Sequence, residues 1–207
     1  MTRTRFLGLL LCSAAAIATY AGEPLSQGDR DFALSSLHGT SKLFLDSIAG
    51  LSQAQLNFKP APDRWSVAEI AEHIALSEDL IFGAVKNTLK QPADESKRLA
   101  ANEARKKDEG LLMGVVDRTA KYKAPEQLQP QHKFANVQAA ADHFKQARNA
   151  HIDYIRTTED DLRSHFSPHP AAGMLDAYDW VLLMSAHTER HTNQINEVKA
   201  DPNFPKQ

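Results

Sequence analysis

The sequence predicts an all-α protein: a four-helix bundle with an additional helix in the long connection between core helices 2 and 3. Apolar residues recur at 3.6-residue spacing along four long segments, the period of a helix that buries one face. Glycines and prolines are few, 9 and 10 in 207 residues, and they cluster between those segments. No long period-2 alternation occurs, as a half-buried strand would need.

The first core helix is predicted over about Asp29 to Ile48, with Phe32, Leu37, Leu43, Phe44 and Leu45 among its apolar positions and Gly50 as its stop. Leu51 to Arg64 reads as a turn-rich connector with a short helix at Ser52 to Leu56, because Pro60 and Pro62 prevent anything longer. Ser66 as N-cap and Glu69 three residues on form a capping box. The second core helix opens there and runs to about Lys90, with Ile70, Ile74, Ile81, Ala84 and Val85 on its buried arc and His73 at the flank.

Residues 91–133 hold a charged, alanine-rich stretch from Glu95 to Lys107, read as the solvated face of an exposed helix. A short apolar patch follows at Leu111, Leu112, Val115 and Val116, then a loop through Pro125 and Pro130. A connection this long can carry the chain back along the bundle, so the helices on either side of it need not be antiparallel neighbours. The third core helix is predicted from an Asn136 N-cap to about Thr158, with Val137, Phe144, Ile152 and Ile155 inward. Ser164 to Gly173, with Pro168 and Pro170, breaks the pattern. The last core helix then runs from about Leu175 to Lys199, and Pro202 ends it.

Residues 1–21 have the form of a signal peptide. Arg3 and Arg5 precede the apolar run Phe6 to Ala18, and small residues surround a cleavage site after Ala21. The run is short for a bilayer span, so export to the periplasm or exterior, without stable membrane insertion, is the expectation; an uncleaved anchor is the alternative. Residues 22–207 then form one helical domain. Removing the segment takes the formal charge from −2 to −4, which argues against nucleic acid as a partner. It also removes Cys12, the single cysteine, so disulfides, zinc–thiolate sites and a cysteine nucleophile are excluded from the mature chain.

The chemistry is concentrated in histidine. Nine histidines in 207 residues give by chance roughly 0.4 pairs at a spacing of four, and there are two such pairs. His165 and His169 are separated by Pro168, so no helix aligns them, and they read as loop residues. His187 and His191 lie on the apolar face of the last helix, among Ala177, Trp180, Met184, Ile195 and Val198. Four residues apart on a helix, their rings point the same way. Burying two unsatisfied imidazoles costs about 1–3 kcal/mol each, and either coordination to a metal or hydrogen bonding to core carbonyls and carboxylates offsets it. His73 is the candidate third ligand, with His143 and His151 on the third core helix in competition. Glu189 falls midway between the pair and faces away, so this is not the HExxH arrangement with its adjacent base. Gln194, three residues after His191, is placed to hydrogen-bond a metal-ligating histidine or a substrate, and is equally an ordinary polar residue at a bundle edge.

Two stretches carry a family resemblance: Trp65 to His73, a tryptophan opening a helix with a histidine eight residues later, and His187 to His191 followed by Gln194-Ile195. In that order, over about Asp29 to the C-terminus, they resemble the DinB superfamily. The resemblance implies a DinB-like four-helix bundle in which His73, His187 and His191 hold a divalent metal, nickel or zinc, leaving open positions for a small-molecule substrate. It also implies a homodimer. The chemistries it implies are metal-dependent hydrolysis and thiol-dependent S-transfer. Export disfavours the second, because the low-molecular-weight thiols it uses are cytoplasmic. A non-catalytic metal-binding or interaction protein is the reading from another class.

Overall fold

Side-chain caps open each of the α-helices described below except the one in the long connection. The computed structural model describes residues 23–206, so the expected signal segment lies outside the described residues. Helix α1 (Gln27–Ile48) starts at Ser26, whose hydroxyl accepts from the Asp29 N–H, two residues ahead of the predicted start. Helix α2 (Gln53–Asn57) is the short connector helix, boxed by Ser52 and Gln55. Helix α3 (Val67–Thr88) carries the predicted Ser66–Glu69 capping box, and α5 (Val137–Thr157) the predicted Asn136 cap. Helix α4 (Ala101–Val116) is the additional helix of the long connection. Among the described residues no helix is long and apolar enough to cross a membrane.

The break before the last helix differs from the expectation of a loop. It is an antiparallel hairpin of β1 (Phe166–His169) and β2 (Gly173–Asp176), with Phe166 opposite Asp176 and His169 opposite Gly173. Gly173, at φ 77°, makes the turn, since a side chain there would be strained. Leu175 and Asp176 therefore belong to the strand. Helix α6 (Ala177–Lys199) begins after them, its capping box formed by Asp176 and Asp179.

The long connection decides the topology. Along α3 and α5 the contacts climb together, from Asp79 with His143 to Phe82 with Tyr154. These two neighbours are parallel. Helix α4 carries the chain back to make them so, running alongside α6 with Lys107 at Asp179 and Arg190 at the Val115 carbonyl. Helices α1 and α6 are also parallel, through Tyr178 with the Asp29 carbonyl, Thr40 with Ser185, and Lys199 with the Ser47 carbonyl. The pairs α1–α5 and α3–α6 run antiparallel, and α1 lies diagonally across from α3, as α5 does from α6.

Two apolar clusters fill the bundle. One packs Leu37, Val85, Ile155, Leu162, Tyr178 and Leu182. The other packs Phe44, Ile70, Ile74, Phe144 and Ile195, with the Phe44 and Phe144 rings edge to face at 4.8 Å. Each such side chain contributes about 1.5–3 kcal/mol by leaving water.

Between the clusters sits a polar knot. Arg148, fully buried, makes two bonds to Glu78 (2.6 and 2.8 Å) and reaches the Leu37 carbonyl, Thr40 and Thr188, so it touches all four core helices. His151 bonds the same Glu78 carboxylate at 3.0 Å. Burial alone would raise the Glu78 carboxyl, but the Arg148 charge and the bonds from Arg148 and His151 outweigh it and hold it below the usual carboxylate range.

A second buried cluster begins just past the charged stretch, whose own charged residues are exposed or partly exposed. Asp108 on α4 is wholly buried and receives both guanidinium arms of Arg163, which also bonds Asp176 and Asp29. Lys107, which meets Asp179, and Asp108 dock α4 to the bundle, while most of the charged run before them faces solvent.

Candidate metal centre

His73 projects from α3, and His187 and His191 project from adjacent turns of α6. The antiparallel α3–α6 pair brings the three Nε2 atoms together: His73 to His187 at 3.3 Å and His73 to His191 at 3.1 Å. Among the described residues this is the one cluster of three potential metal ligands, all its donor atoms within 4.8 Å of one another, and it contains no carboxylate. His73 is buried, and the other two are partly accessible.

The hydrogen bonds behind the rings fix which nitrogens carry protons. His73 Nδ1 lies 2.8 Å from the Leu128 carbonyl, which can only accept, so Nδ1 bears the hydrogen and Nε2 the lone pair. His191 Nδ1 is 2.8 Å from Gln194 Oε1, an oxygen that also faces the Arg118 guanidinium, itself only a donor. His191 Nε2 is therefore also a bare lone pair. Two acceptors 3.1 Å apart repel each other unless a cation lies between them. A tetrahedral ion with metal–nitrogen bonds of about 2.0–2.1 Å separates its ligand nitrogens by about 3.3 Å, close to the 3.3 and 3.1 Å from His73 Nε2 to the other two. The backing bonds are the partners that orient metal-binding imidazoles.

Burial pushes all three imidazoles below the ordinary histidine value of 6.5. Neighbouring ring charges push His187 and His191 further, while the Leu128 and Gln194 bonds work weakly the other way at His73 and His191. The neutral, ligating forms thus persist below pH 6.5. In metal-free protein the unfolded chain takes up protons near 6.5 while the folded site refuses them. Stability is therefore full above that pH and is lost as pH falls below it. Thermal unfolding of metal-free protein should give a lower Tm at about pH 5.5 than at about pH 7.5. A His187→Ala/His191→Ala variant should lose most of that difference; an undiminished difference would contradict the assignment.

The other histidines are accounted for separately. His143 pairs with Asp79 at the surface and His151 with Glu78 in the core, so neither is the third ligand. His165 and His169 flank Pro168 in and beside the hairpin: His165 Nδ1 meets the Gln91 carbonyl, and His169 Nδ1 accepts from the Ala171 and Ala172 N–H groups. Glu189 turns away from the site, to a groove with Ser36, Thr40 and Leu43. Gln194 bonds His191, one of the three clustered histidines.

Sequence reasoning did not find the Leu128 carbonyl, nor the packing of the Trp65 ring 5.0 Å from His73. It also missed Arg190, which grips the Val115, Asp117 and Ala120 carbonyls and holds the chain leaving α4 against α6. A cleft of about 530 Å³ lies on the Glu69–Glu72 side of α3, and none of the three ligands lines it.

Three imidazoles converge here from two antiparallel helices, a nitrogen donor set of the kind that suits a divalent metal ion. The chain belongs to the DinB superfamily, which matches residues 36–195. It is similar to the uncharacterized protein YuaE of Bacillus subtilis (strain 168), with 26% identity over 155 residues that make up 74% of this chain and 89% of that protein. Its fold is that of YfiT from Bacillus subtilis, at a TM-score of 0.58 and 14% identity, covering 89% of this chain and 93% of the other. YfiT is described as a probable metal-dependent hydrolase with an unusual four-helix bundle topology.

Proposed function

We propose that this protein is an exported, DinB-like metal-dependent hydrolase. Its divalent ion, nickel or zinc, is held by His73, His187 and His191, and its substrate is a small molecule. The observation that carries the reading is the 3.1 Å approach of two imidazole nitrogens whose other nitrogens are both committed as donors. The description of YfiT supports the reaction class. Held by three neutral ligands, a divalent cation keeps its full charge and supplies Lewis acidity, acidifying water and polarising an electrophilic carbonyl or phosphoryl group. The chain's own contribution is to fix the lone pairs, through Leu128 and Gln194, and to keep α6 seated on α3.

The test is metal analysis of the full chain purified without a histidine tag, which should show about one divalent ion per chain. Its absence from metal-replete protein would overturn the reading. Chelation should lower the Tm only modestly, because buried apolar clusters and the Arg148 knot already hold α3 to α6. Collapse of the fold on chelation would instead favour a structural metal. In cobalt-substituted protein, a spectrum unmoved by a low-molecular-weight thiol counts against S-transfer.

A further inference from the structure

Glu72 and His73, adjacent on α3, grip the same loop at two points. The Glu72 carboxylate is buried and accepts three consecutive backbone N–H groups: Gln131 (2.8 Å) and Lys133 (3.1 Å) on one oxygen, His132 (3.1 Å) on the other. Three successive donors converge only if the backbone bends sharply. His132 supplies the bend at φ 57°, a left-handed conformation that a non-glycine residue seldom adopts. Strain of that kind persists only where its surroundings enforce it, and here the carboxylate does.

The loop behind this bend is stiffened from within. Gln129 bonds the Ala124 carbonyl, Gln131 the Glu126 carbonyl and Lys133 the Gln127 carbonyl. Anchoring residues 131–133 therefore places the Leu128 carbonyl, the acceptor for His73 Nδ1–H.

We propose that Glu72 is a positioning residue for the metal centre. By clamping the 131–133 backbone it sets the Leu128 carbonyl, which selects the His73 tautomer and aims its Nε2 lone pair at His187 and His191. This rests on the three-histidine reading above, but its first consequence exists without metal.

The experiment uses the full chain and Glu72→Gln, which keeps the size and turns an amide NH2 toward the converging N–H groups. In metal-free protein, long-range ¹⁵N–¹H spectra of the imidazoles should show a single Nδ1–H tautomer at His73 in the wild type and a mixture in the variant. Zinc affinity, measured by chelator competition, should fall about 10- to 100-fold, the usual effect of losing an outer partner of a ligand. Glu69→Gln serves as the control, because Glu69 lies on the same helix but bonds Ser66 and Lys59. It shares any general loss of helix stability and should leave both readouts at wild-type values.

Should Glu72→Gln fail to fold, His132→Pro at the exposed bend removes one N–H and forbids positive φ while leaving the carboxylate in place, and it should release the tautomer as well. Retention of the wild-type tautomer and affinity in Glu72→Gln or His132→Pro overturns the proposal, as does an equal change in Glu69→Gln. A tautomer released in a protein that binds no zinc at all removes the metal reading and leaves the Glu72 role standing.

Discussion

Replacing both α6 ligands, as in His187→Ala/His191→Ala, is expected to take bound metal from about one ion per chain to none detectable. A lone His73 offers a single nitrogen, and one imidazole does not hold a divalent ion against buffer and water. The same change removes two imidazoles whose Nε2 atoms face His73 and whose protonation burial opposes. The metal-free variant should therefore stay folded, within about 1 kcal/mol of metal-free wild type, since both side chains are partly accessible and truncation opens little closed cavity. Metal content by mass spectrometry and a denaturant melt of each metal-free protein check the two halves. Retained metal would mean that the ligands lie elsewhere.

The second large effect concerns stability. Glu78→Ala should destabilise the fold by about 3–5 kcal/mol in chemical denaturation, because it leaves Arg148 charged in the bundle centre with no counter-ion. The remaining partners of that guanidinium, a carbonyl and two hydroxyls, satisfy hydrogen bonds but not charge. A Glu78→Leu/Arg148→Met double variant should recover most of the loss, since well-packed apolar residues often replace a buried ion pair at little cost. A double variant as unstable as the single would show that the knot acts through its hydrogen bonds rather than its charge balance. Because the Glu78 carboxyl is held low in the folded state, this contribution is present above the ordinary carboxylate range and is lost as pH falls through it.

The four core helices were readable because each combines a helical apolar period with a local stop or cap, such as Ser66 with Glu69 or Asn136 before Val137. Their arrangement was not. Which helices are neighbours depends on the route of residues 89–136, whose apolar content is too sparse to show that α4 returns along α6. The hairpin escaped because its strands are four residues each, with Pro168 inside one, shorter than any window in which alternation stands out. The buried charges escaped for another reason. Asp108 and Arg163 are 55 residues apart and look like surface residues until the fold pairs them.

At the site, the α6 histidine pair was legible from spacing and face, and His73 was the favoured third candidate from its place on a capped, core-facing helix, with the resemblance supplying the full set. The Leu128 carbonyl left no trace in the sequence, because every residue has one.

The ligands from α3 and α6 stand 114 and 118 residues apart in the chain. Closing a loop of that length comes with a large loss of chain freedom, recovered only when the helices between have docked. A growing polypeptide carries one of the three histidines until nearly all of it has been made. On the proposed reading, metal loading is therefore a maturation step that follows synthesis of the whole chain, rather than an event during it.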